Sequence, residues 1–264
     1  MPTITIAGQD LYYTHARAQD ERARGRLALM LIHGAGGTHL DWPAELRRMG
    51  RADVYATDLP GHGRSAPPGR EEIAAYAAVV AELVQRLQLA RLVLAGHSMG
   101  GAIALELALQ QPGWLAGLVL IGSGARMPVN TRLLEQATAD FPSAVAFLSR
   151  YFWTPGAPEE LVAAGRAQLA KNDPQVLAGD FLACSRFDRR ADVQRIAIPA
   201  LLITGTADKM MPIENAAYLA AAMPRAELLP VAGAAHMVML EETGHMAAAV
   251  SDFLDRLRAV EDAK

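Results

Sequence analysis

Short, continuous runs of apolar residues alternate along this chain with longer segments in which apolar residues recur at helical spacing. Residues 27–32, Leu-Ala-Leu-Met-Leu-Ile, form such a run, and residues 71–87 carry the helical pattern. A strand that is apolar along its whole length is buried on both faces, as in a parallel sheet covered by helices. The alternation therefore predicts an α/β fold with helices on both faces of the sheet. The other predicted parallel strands cover residues 53–57, 91–96, 115–121, 200–204 and 226–231.

A hairpin is predicted at the start of the chain. Residues 2–7 and 11–15 flank the turn sequence Gly-Gln-Asp at positions 8–10. These two segments would form the antiparallel edge of the sheet, which then has eight strands and is mostly parallel. Near the other end, the spacing of apolar residues predicts one long helix over residues 237–260.

The stretch over residues 126–190 interrupts the alternation, because it has helical patterns throughout and no convincing strand. We interpret it as a helical insertion, with residues 1–125 and 191–264 forming the α/β core. Five of the six phenylalanines lie in the insertion, together with Tyr151 and Trp153. They can form the core of a small helical subdomain or line an apolar pocket beneath a cap, and the two interpretations are compatible. For the pocket we predict Phe147, Phe152 and Trp153.

The composition is that of a globular protein and excludes several function classes. Hydrophobic residues make up 52% of the chain and charged residues 20%, and the formal net charge is −3. Lysine and arginine are scattered, so we expect no nucleic-acid partner. No apolar run approaches the roughly 18 residues of a membrane span, and the first residues lack a secretory-signal pattern. Since Cys184 is the single cysteine, no intrachain disulfide forms, and we expect a cytoplasmic protein whose oligomeric state the sequence does not indicate.

The sequence Gly-His-Ser-Met-Gly-Gly over residues 96–101 lies between a predicted strand and a predicted helix. It matches Gly-x-Ser-x-Gly, in which a nucleophilic serine leaves the strand on a sharp turn that exposes its hydroxyl. Side chains two residues to either side would collide, which explains Gly96 and Gly100. The helix that follows directs its N-terminal N–H groups and its dipole towards the site, where they favour negative charge. Ser98 is therefore the candidate nucleophile.

A glycine-rich segment, His-Gly-Ala-Gly-Gly over residues 33–37, follows the strand predicted over 27–32. Acyl transfer passes through a tetrahedral oxyanion, which needs hydrogen-bond donors that are already in place. A glycine-rich loop leaves its backbone N–H groups available for this purpose. The candidate donors are the N–H of Ala35 and the N–H of Met99, the residue after Ser98.

A serine hydroxyl needs a base to take its proton, and the base needs an acceptor for its other ring nitrogen. Asp208 follows the strand predicted over residues 200–204, and His236 follows the one over 226–231. Like Ser98, both lie just beyond the carboxyl ends of strands, where parallel sheets bind their ligands. We therefore expect Asp208 to orient His236 and His236 to act as the base. No pair of histidines has metal-ligand spacing on one element, so we expect neither a metal nor another cofactor.

Taken together, these motifs make the chain resemble the α/β-hydrolase superfamily over essentially its whole length. The serine, aspartate and histidine also follow in that family's chain order. The resemblance implies a triad of Ser98, Asp208 and His236, an oxyanion hole from Ala35 and Met99, and a cap inserted after the sixth strand. The chain is similar to the small, single-cap esterase and carbon–carbon hydrolase branch. The landmarks are residues 33–37, the Asp-Leu-Pro-Gly-His-Gly-Arg-Ser segment over 58–65, residues 96–101, Gly205 with Asp208, and Gly233 with His236.

The leading interpretation is a serine hydrolase that cleaves carboxylic esters of small to medium apolar substrates through an acyl-enzyme on Ser98. A lactonase, a carbon–carbon bond hydrolase and a cofactor-free haloperoxidase-like enzyme share the triad, so the triad does not separate them. Dehalogenases and epoxide hydrolases are disfavoured, because they have aspartate at the position of Ser98. A small-ligand receptor on the same fold is the non-enzymatic alternative, and the complete triad argues against it.

Overall fold

The computed structural model describes residues 2–19 and 27–262. These residues form an α/β structure with one eight-stranded sheet. The strands are β1 (Thr3–Ile6), β2 (Gln9–Ala16), β3 (Ala28–Ile32), β4 (Asp53–Thr57), β5 (Leu92–His97), β6 (Leu115–Ile121), β7 (Ala200–Gly205) and β8 (Ala226–Val231). Their spatial order is β1-β2-β4-β3-β5-β6-β7-β8. β1 pairs antiparallel with β2 and β2 with β4, whereas all other pairs are parallel. The predicted mostly parallel, eight-stranded sheet is confirmed.

The hairpin between β1 and β2 turns earlier than the sequence predicted. Ile6 pairs with Gln9, so the turn consists of Ala7 and Gly8 instead of residues 8–10. Both turn residues have a positive φ, 49° at Ala7 and 78° at Gly8. A two-residue turn with two positive φ angles has the twist that joins antiparallel strands directly.

The register of the parallel strands brings their carboxyl ends to one edge of the sheet. Ile32, the last residue of β3, lies beside Gly96 of β5, and Gly205 of β7 lies beside Val231 of β8. The loops that follow these four strands therefore start close together. The candidate residues predicted from the sequence lie in these loops, at this edge of the sheet.

Helices cover both faces of the sheet, because side chains along each strand alternate between the faces. Met30 and Ile32 pack in one buried cluster, and Leu29 and Leu31 pack in another on the opposite face. The helices are α1 (Ala44–Arg47), α2 (Ile73–Arg86), α3 (Met99–Leu109), α4 (Thr131–Ala139), α5 (Phe141–Phe152), α6 (Glu159–Leu169), α7 (Pro174–Arg186), α8 (Ile213–Ala222), α9 (Val238–Glu241) and α10 (Thr243–Asp262). Helices α2, α3 and α8 contribute to the first cluster, and α10 contributes to the second.

Four helices, α4 to α7, lie between β6 and β7 and form the insertion. The two ends of the insertion are adjacent, because Arg126 and Asp188 form a β-bridge and the Arg189 N–H donates to the Ala125 carbonyl at 2.7 Å. The Arg189 guanidinium also binds both carboxylate oxygens of Glu106 on α3, at 2.7 and 3.0 Å. The insertion therefore leaves the α/β core and returns to it at one place.

The insertion has a buried cluster of its own and also packs on the sheet edge. Helices α4, α5, α6 and α7 all contribute to this cluster. Leu177 and Leu169 of the cluster lie 2.7 and 2.8 Å from the position that a Cβ on Gly36 would take. The insertion thus covers the loop after β3 without a gap. The buried members are Leu133, Ala137, Ala144, Val145, Leu148, Leu169, Leu177 and Phe181.

The prediction of a single helix over residues 237–260 is wrong in one respect, because the structure has two helices there, α9 and α10. The short helix α9 ends at Glu241, whose carboxylate accepts the N–H of Ala235 at 2.6 Å and the N–H of Thr154 at 2.6 Å. Glu241 therefore binds both the loop after β8 and the insertion. Glu241 lies at the break between the two helices.

Candidate active site

A cavity of about 300 Å³ opens at the carboxyl edge of the sheet. Residues 34–37 after β3, Ser98 after β5 and His236 after β8 all contribute to its wall. The insertion supplies the opposite wall, mainly with apolar side chains. The structure therefore brings the predicted loops together around one space.

Ser98 has a backbone conformation that few residues other than glycine adopt, with φ 51° and ψ −116°. It lies at the junction of β5 and α3, as the Gly-x-Ser-x-Gly pattern predicts. A Cβ on Gly96 would overlap the backbone of Gly100, and a Cβ on Gly100 would overlap the carbonyl oxygen of Ile32. Both glycines are therefore required for α3 to lie against the strands. The turn directs the Ser98 side chain into the cavity.

The loop after β3 packs against this serine. A Cβ on Gly34 would lie 3.2 Å from Cβ of Ser98, and the Gly37 N–H closes a turn on the Gly34 carbonyl at 3.0 Å. Among the described residues, neither the N–H of Ala35 nor that of Met99 donates to a protein acceptor. Met99 begins α3, so its N–H has no partner inside the helix. The two predicted donors are thus available beside Ser98.

Asp208 and His236 form a buried pair. Oδ2 of Asp208 lies 2.8 Å from Nδ1 of His236, and the two residues are 5% and 2% exposed. The other carboxylate oxygen of Asp208 accepts the N–H groups of Met210 and Met211 at 2.8 and 2.9 Å. The two backbone N–H groups therefore hold the carboxylate in the orientation in which it contacts Nδ1. The other ring nitrogen of His236, Nε2, is not part of this pair.

The space for this pair comes from a glycine that the sequence analysis did not single out. Gly122 follows β6 with φ 53°, and a Cβ there would lie 3.3 Å from Nδ1 of His236 and 3.4 Å from Oδ2 of Asp208. Any larger residue would press on the hydrogen bond between them. The sequence signal is a glycine directly after a predicted strand, which is too common to identify the position.

His97 fixes the backbone of His236. Nε2 of His97 lies 3.0 Å from the carbonyl oxygen of His236, and the two rings are 4.7 Å apart between centroids. Burial, and then the neighbouring His236, hold the pKa of His97 well below its usual value. A neutral His97 donates its Nε2–H to that carbonyl. The residue before the serine therefore positions the candidate base.

The pocket wall contains two of the three predicted aromatic residues. Phe152 and Trp153 line the cavity, and the Phe152 ring lies 5.7 Å from the His236 ring between centroids. Phe147 does not line it and packs instead on Tyr151, at 4.7 Å between centroids. The structure therefore removes Phe147 from the predicted pocket. Further apolar residues of the wall include Leu161, Leu169, Phe181, Met210 and Leu240.

Two acids near the cavity were also missed, the half-buried Asp41 and the buried Asp180. Asp41 lines the cavity, and burial raises its pKa to about 7 against the opposing effect of the Thr38 N–H, which donates to it at 3.1 Å. Asp180 of α7 is fully buried and accepts the N–H of Gly36 at 2.9 Å. Asp180 lies one helical turn or less from the apolar Leu177 and Phe181, and an acid on an apolar helix face is the signal that could have identified it.

Residues 2–19 and 27–262 contain neither a metal-binding cluster nor a membrane-spanning helix. In that part of the chain, no three histidine, cysteine, aspartate or glutamate side chains are grouped as a metal ion would require. None of the helices there combines the length and the apolar composition that a membrane span needs.

Comparison with known proteins identifies the family. The model of the alpha/beta hydrolase family matches residues 29–253. The chain belongs to this family. The pimeloyl-acyl-carrier-protein methyl ester esterase of Yersinia pseudotuberculosis serotype O:1b is 26% identical over 247 residues, which are 88% of this chain and 94% of that protein.

Solved structures of the family have the same fold. A thermophilic esterase superposes with a TM-score of 0.84 at 29% identity, and the match covers 97% of each chain. The enol-lactonase of Burkholderia xenovorans LB400 superposes with a TM-score of 0.88 over 96% of this chain and all of that one. At 24% identity, the second likeness concerns the fold alone.

The first residue of the loop after β3, His33, is buried in its neutral form. Nε2 accepts the N–H of Leu59 at 2.9 Å, which leaves Nδ1 to donate to the carbonyl of Gly34 at 2.8 Å. Burial, and then the nearby His62, lower the pKa of His33 to about 4. One ring thus connects the loop that carries Ala35 to the loop that follows β4.

This neutral histidine predicts a loss of stability in mild acid. The unfolded chain protonates His33 below about pH 6.5, whereas the folded protein does so only near pH 4. The free energy of unfolding should therefore fall as the pH is lowered through this window, by about 3 kcal/mol from His33. Urea unfolding between pH 4.5 and 7.5 should show a flatter dependence in His33→Gln. His245→Gln changes an exposed histidine and should keep the wild-type slope, and equal slopes in all three proteins would contradict the assignment.

Proposed function

We propose that the protein is a serine hydrolase that cleaves carboxylic esters of small to medium apolar substrates. Ser98 is the nucleophile, His236 the base and Asp208 the residue that orients the base. The observation that carries the proposal is a serine on a strained turn that lines the same apolar cavity as His236, whose ring is paired with the buried Asp208. The named esterases among the relatives support the same reaction class.

The proposed reaction has two halves. Nε2 of His236 takes the hydroxyl proton while Oγ of Ser98 attacks the ester carbonyl, and the proton is then given to the departing alcohol. Water attacks the acyl-serine with His236 again as the base, which releases the acid and restores Ser98. Asp208 keeps Nδ1 of His236 protonated and stabilises the imidazolium that forms in each half.

We propose that the N–H groups of Ala35 and Met99 bind the oxyanion. Both belong to backbone that packs directly around Ser98, and neither has another protein acceptor among the described residues. Met99 also lies at the N-terminus of α3, where the helix dipole adds a positive potential. Two donors that are fixed before the reaction stabilise the developing charge more than the neutral carbonyl.

We propose that residues 126–190 act as a cap and that the apolar wall they supply holds the hydrocarbon part of the substrate. Phe152, Trp153 and Leu169 support this role, because they face the same cavity as Ser98. A cavity of about 300 Å³ suits a small to medium ester. The partner is accordingly a small ester-like molecule and no nucleic acid. We place the protein in the cytoplasm, where a reducing environment preserves the buried free thiol of Cys184.

Ser98→Ala should fold normally and lose on the order of 10⁶ in kcat towards p-nitrophenyl esters, because the three residues act as one unit. Mass spectrometry after treatment with a fluorophosphonate should find the adduct on Ser98 of the wild-type protein. The matched control is Ser185→Ala, which removes an exposed hydroxyl on α7 and should keep both turnover and labelling. An active Ser98→Ala protein would overturn the proposal, and a wild-type protein with neither turnover nor labelling would favour the ligand-receptor alternative.

Asp208→Asn should keep the fold and lower kcat by roughly 10³–10⁴, since an amide favours the wrong tautomer of His236. Steady-state kinetics beside a melting curve measures both effects. Asp188→Asn, which alters an exposed acid paired with Arg190, is the control and should retain kcat. Near-wild-type turnover in Asp208→Asn would mean that another acid serves His236.

Phe152→Ala should change the preferred acyl-chain length, because it removes a wall of the cavity, whereas Phe147→Ala should not. Both rings are half-buried and belong to α5, so the two variants are a matched pair. Kinetics over a series of p-nitrophenyl esters, lactones and vinylogous diketones measures the profile and also separates esterase from the alternative activities. The same change of profile in both variants, or none in Phe152→Ala, would contradict the pocket assignment.

A further inference from the structure

The insertion binds both polar groups of Gly36, the residue after the candidate oxyanion donor Ala35. The Gly36 N–H donates to Oδ2 of Asp180 at 2.9 Å. The Gly36 carbonyl accepts from Nδ2 of Asn172 at 2.7 Å. Asp180 belongs to α7, and Asn172 lies in the short connection between α6 and α7. No other residue of the loop over 33–37 is bound in this way by the insertion among the described contacts.

Asp180 joins this loop to two further elements. It is 0% exposed, and besides the Gly36 N–H it accepts Nε2–H of His62 at 2.7 Å and the hydroxyl of Tyr76 at 2.6 Å. Nδ1 of His62 faces the carbonyl of Pro60 at 3.0 Å, so both ring nitrogens have acceptors and the ring is an imidazolium. The buried carboxylate is therefore paired with a charge and carries three hydrogen bonds.

Stability alone does not explain such an arrangement. A buried ion pair is often replaced by apolar residues of similar volume at no cost in stability, because desolvation offsets the attraction between the charges. An apolar side chain at position 180 would leave the Gly36 N–H without an acceptor. Only a side chain with an acceptor oxygen, such as a carboxylate or an amide, can bind the Gly36 N–H at this position and so fix its direction.

The conformation of Gly36 leaves the loop little other freedom. Gly36 has φ 64°, and the Cβ position on its other side is occupied by Leu177 and Leu169. On the far side, the Gly37 N–H is bound to the Gly34 carbonyl at 3.0 Å. The peptide that joins Ala35 to Gly36 is thus fixed by Asp180, and Asn172 fixes the peptide that follows Gly36. The turn fixes the peptide that precedes Ala35. These contacts determine where the Ala35 N–H points.

We propose that Asp180 is a positioning residue that fixes the Ala35 N–H towards the oxyanion, so that the hole is complete only when the insertion is seated on the loop. This inference rests on the serine mechanism proposed above. Asp180 lines no part of the cavity and touches no reacting atom. Its effect on the reaction passes through the Gly36 peptide, and it couples the position of the cap to the rate of acyl transfer.

The test compares Asp180→Leu and Asp180→Asn with Leu148→Ala. Leucine removes the acceptor of the Gly36 N–H, so we expect kcat to fall by roughly 10- to 100-fold with KM little changed, since a small displacement of an oxyanion donor acts on the transition state. Asparagine keeps an oxygen acceptor and should recover part of this loss. Leu148 is buried in the cluster of the insertion but does not contact Gly36, so Leu148→Ala should lower the melting temperature and keep kcat.

The rate of phosphonylation at Ser98 is the second measurement, because the adduct also places an oxygen in the hole. It should slow in Asp180→Leu and stay unchanged in Leu148→Ala, with all proteins assayed below their melting temperatures. If Asp180→Leu does not fold, Asp180→Asn must still show a lower kcat at unchanged KM. Wild-type kcat in folded Asp180 variants, or an equal loss in Leu148→Ala, would overturn the inference and leave the serine mechanism standing. Failure of that mechanism would show separately, as an unlabelled wild-type protein or an active Ser98→Ala.

Discussion

The close contact between the backbone of α3 and the strands β3 and β5 is the constraint on which the site depends. There is no space for a Cβ at Gly96 or at Gly100, so the helix begins as near to the sheet as its backbone permits. Ser98 absorbs the sharp change of direction with φ 51°, a conformation that costs on the order of 1–3 kcal/mol. The buried packing of α3 on both strands offsets this cost, since nine of the eleven residues of the helix are buried.

Acid side chains around this contact have different neighbours. Asp208 accepts two backbone N–H groups and is paired with Nδ1 of His236. Burial alone would raise the pKa of Asp58, yet hydrogen bonds from His39 and the Arg64 N–H keep it below its usual value, so the loop after β4 has a fixed anion at its base. Asp41 has only one backbone donor among its described contacts, and its pKa rises to about 7. Burial raises the pKa of both Asp41 and Asp58, and the additional hydrogen bonds to Asp58 reverse that effect.

The insertion combines two roles that the sequence presented as compatible. Its own buried cluster gives α4 to α7 a fixed arrangement, and side chains at the margin of that cluster, such as Leu169 and Phe181, also line the cavity. A displacement of the insertion from the sheet edge would therefore move the cavity wall and, through Asp180 and Asn172, the loop after β3. Glu241 makes a further connection, between Thr154 in the insertion and Ala235 beside the candidate base.

The sequence by itself determined the sheet, the hairpin and the candidate residues at strand ends, because apolar periodicity and glycine-rich turns are local properties that the chain shows directly. It did not determine which helix faces meet. Phe147 and Phe152 look equivalent as residues of one aromatic helix, but residues five apart lie roughly 140° apart around it, and only one of them faces the cavity. The role of Asp180 was equally hidden, since its partners Gly36, His62 and Tyr76 are more than 100 positions away along the chain. Contacts at such separations form only when the insertion packs on the sheet edge, and that packing is a property of the tertiary structure alone.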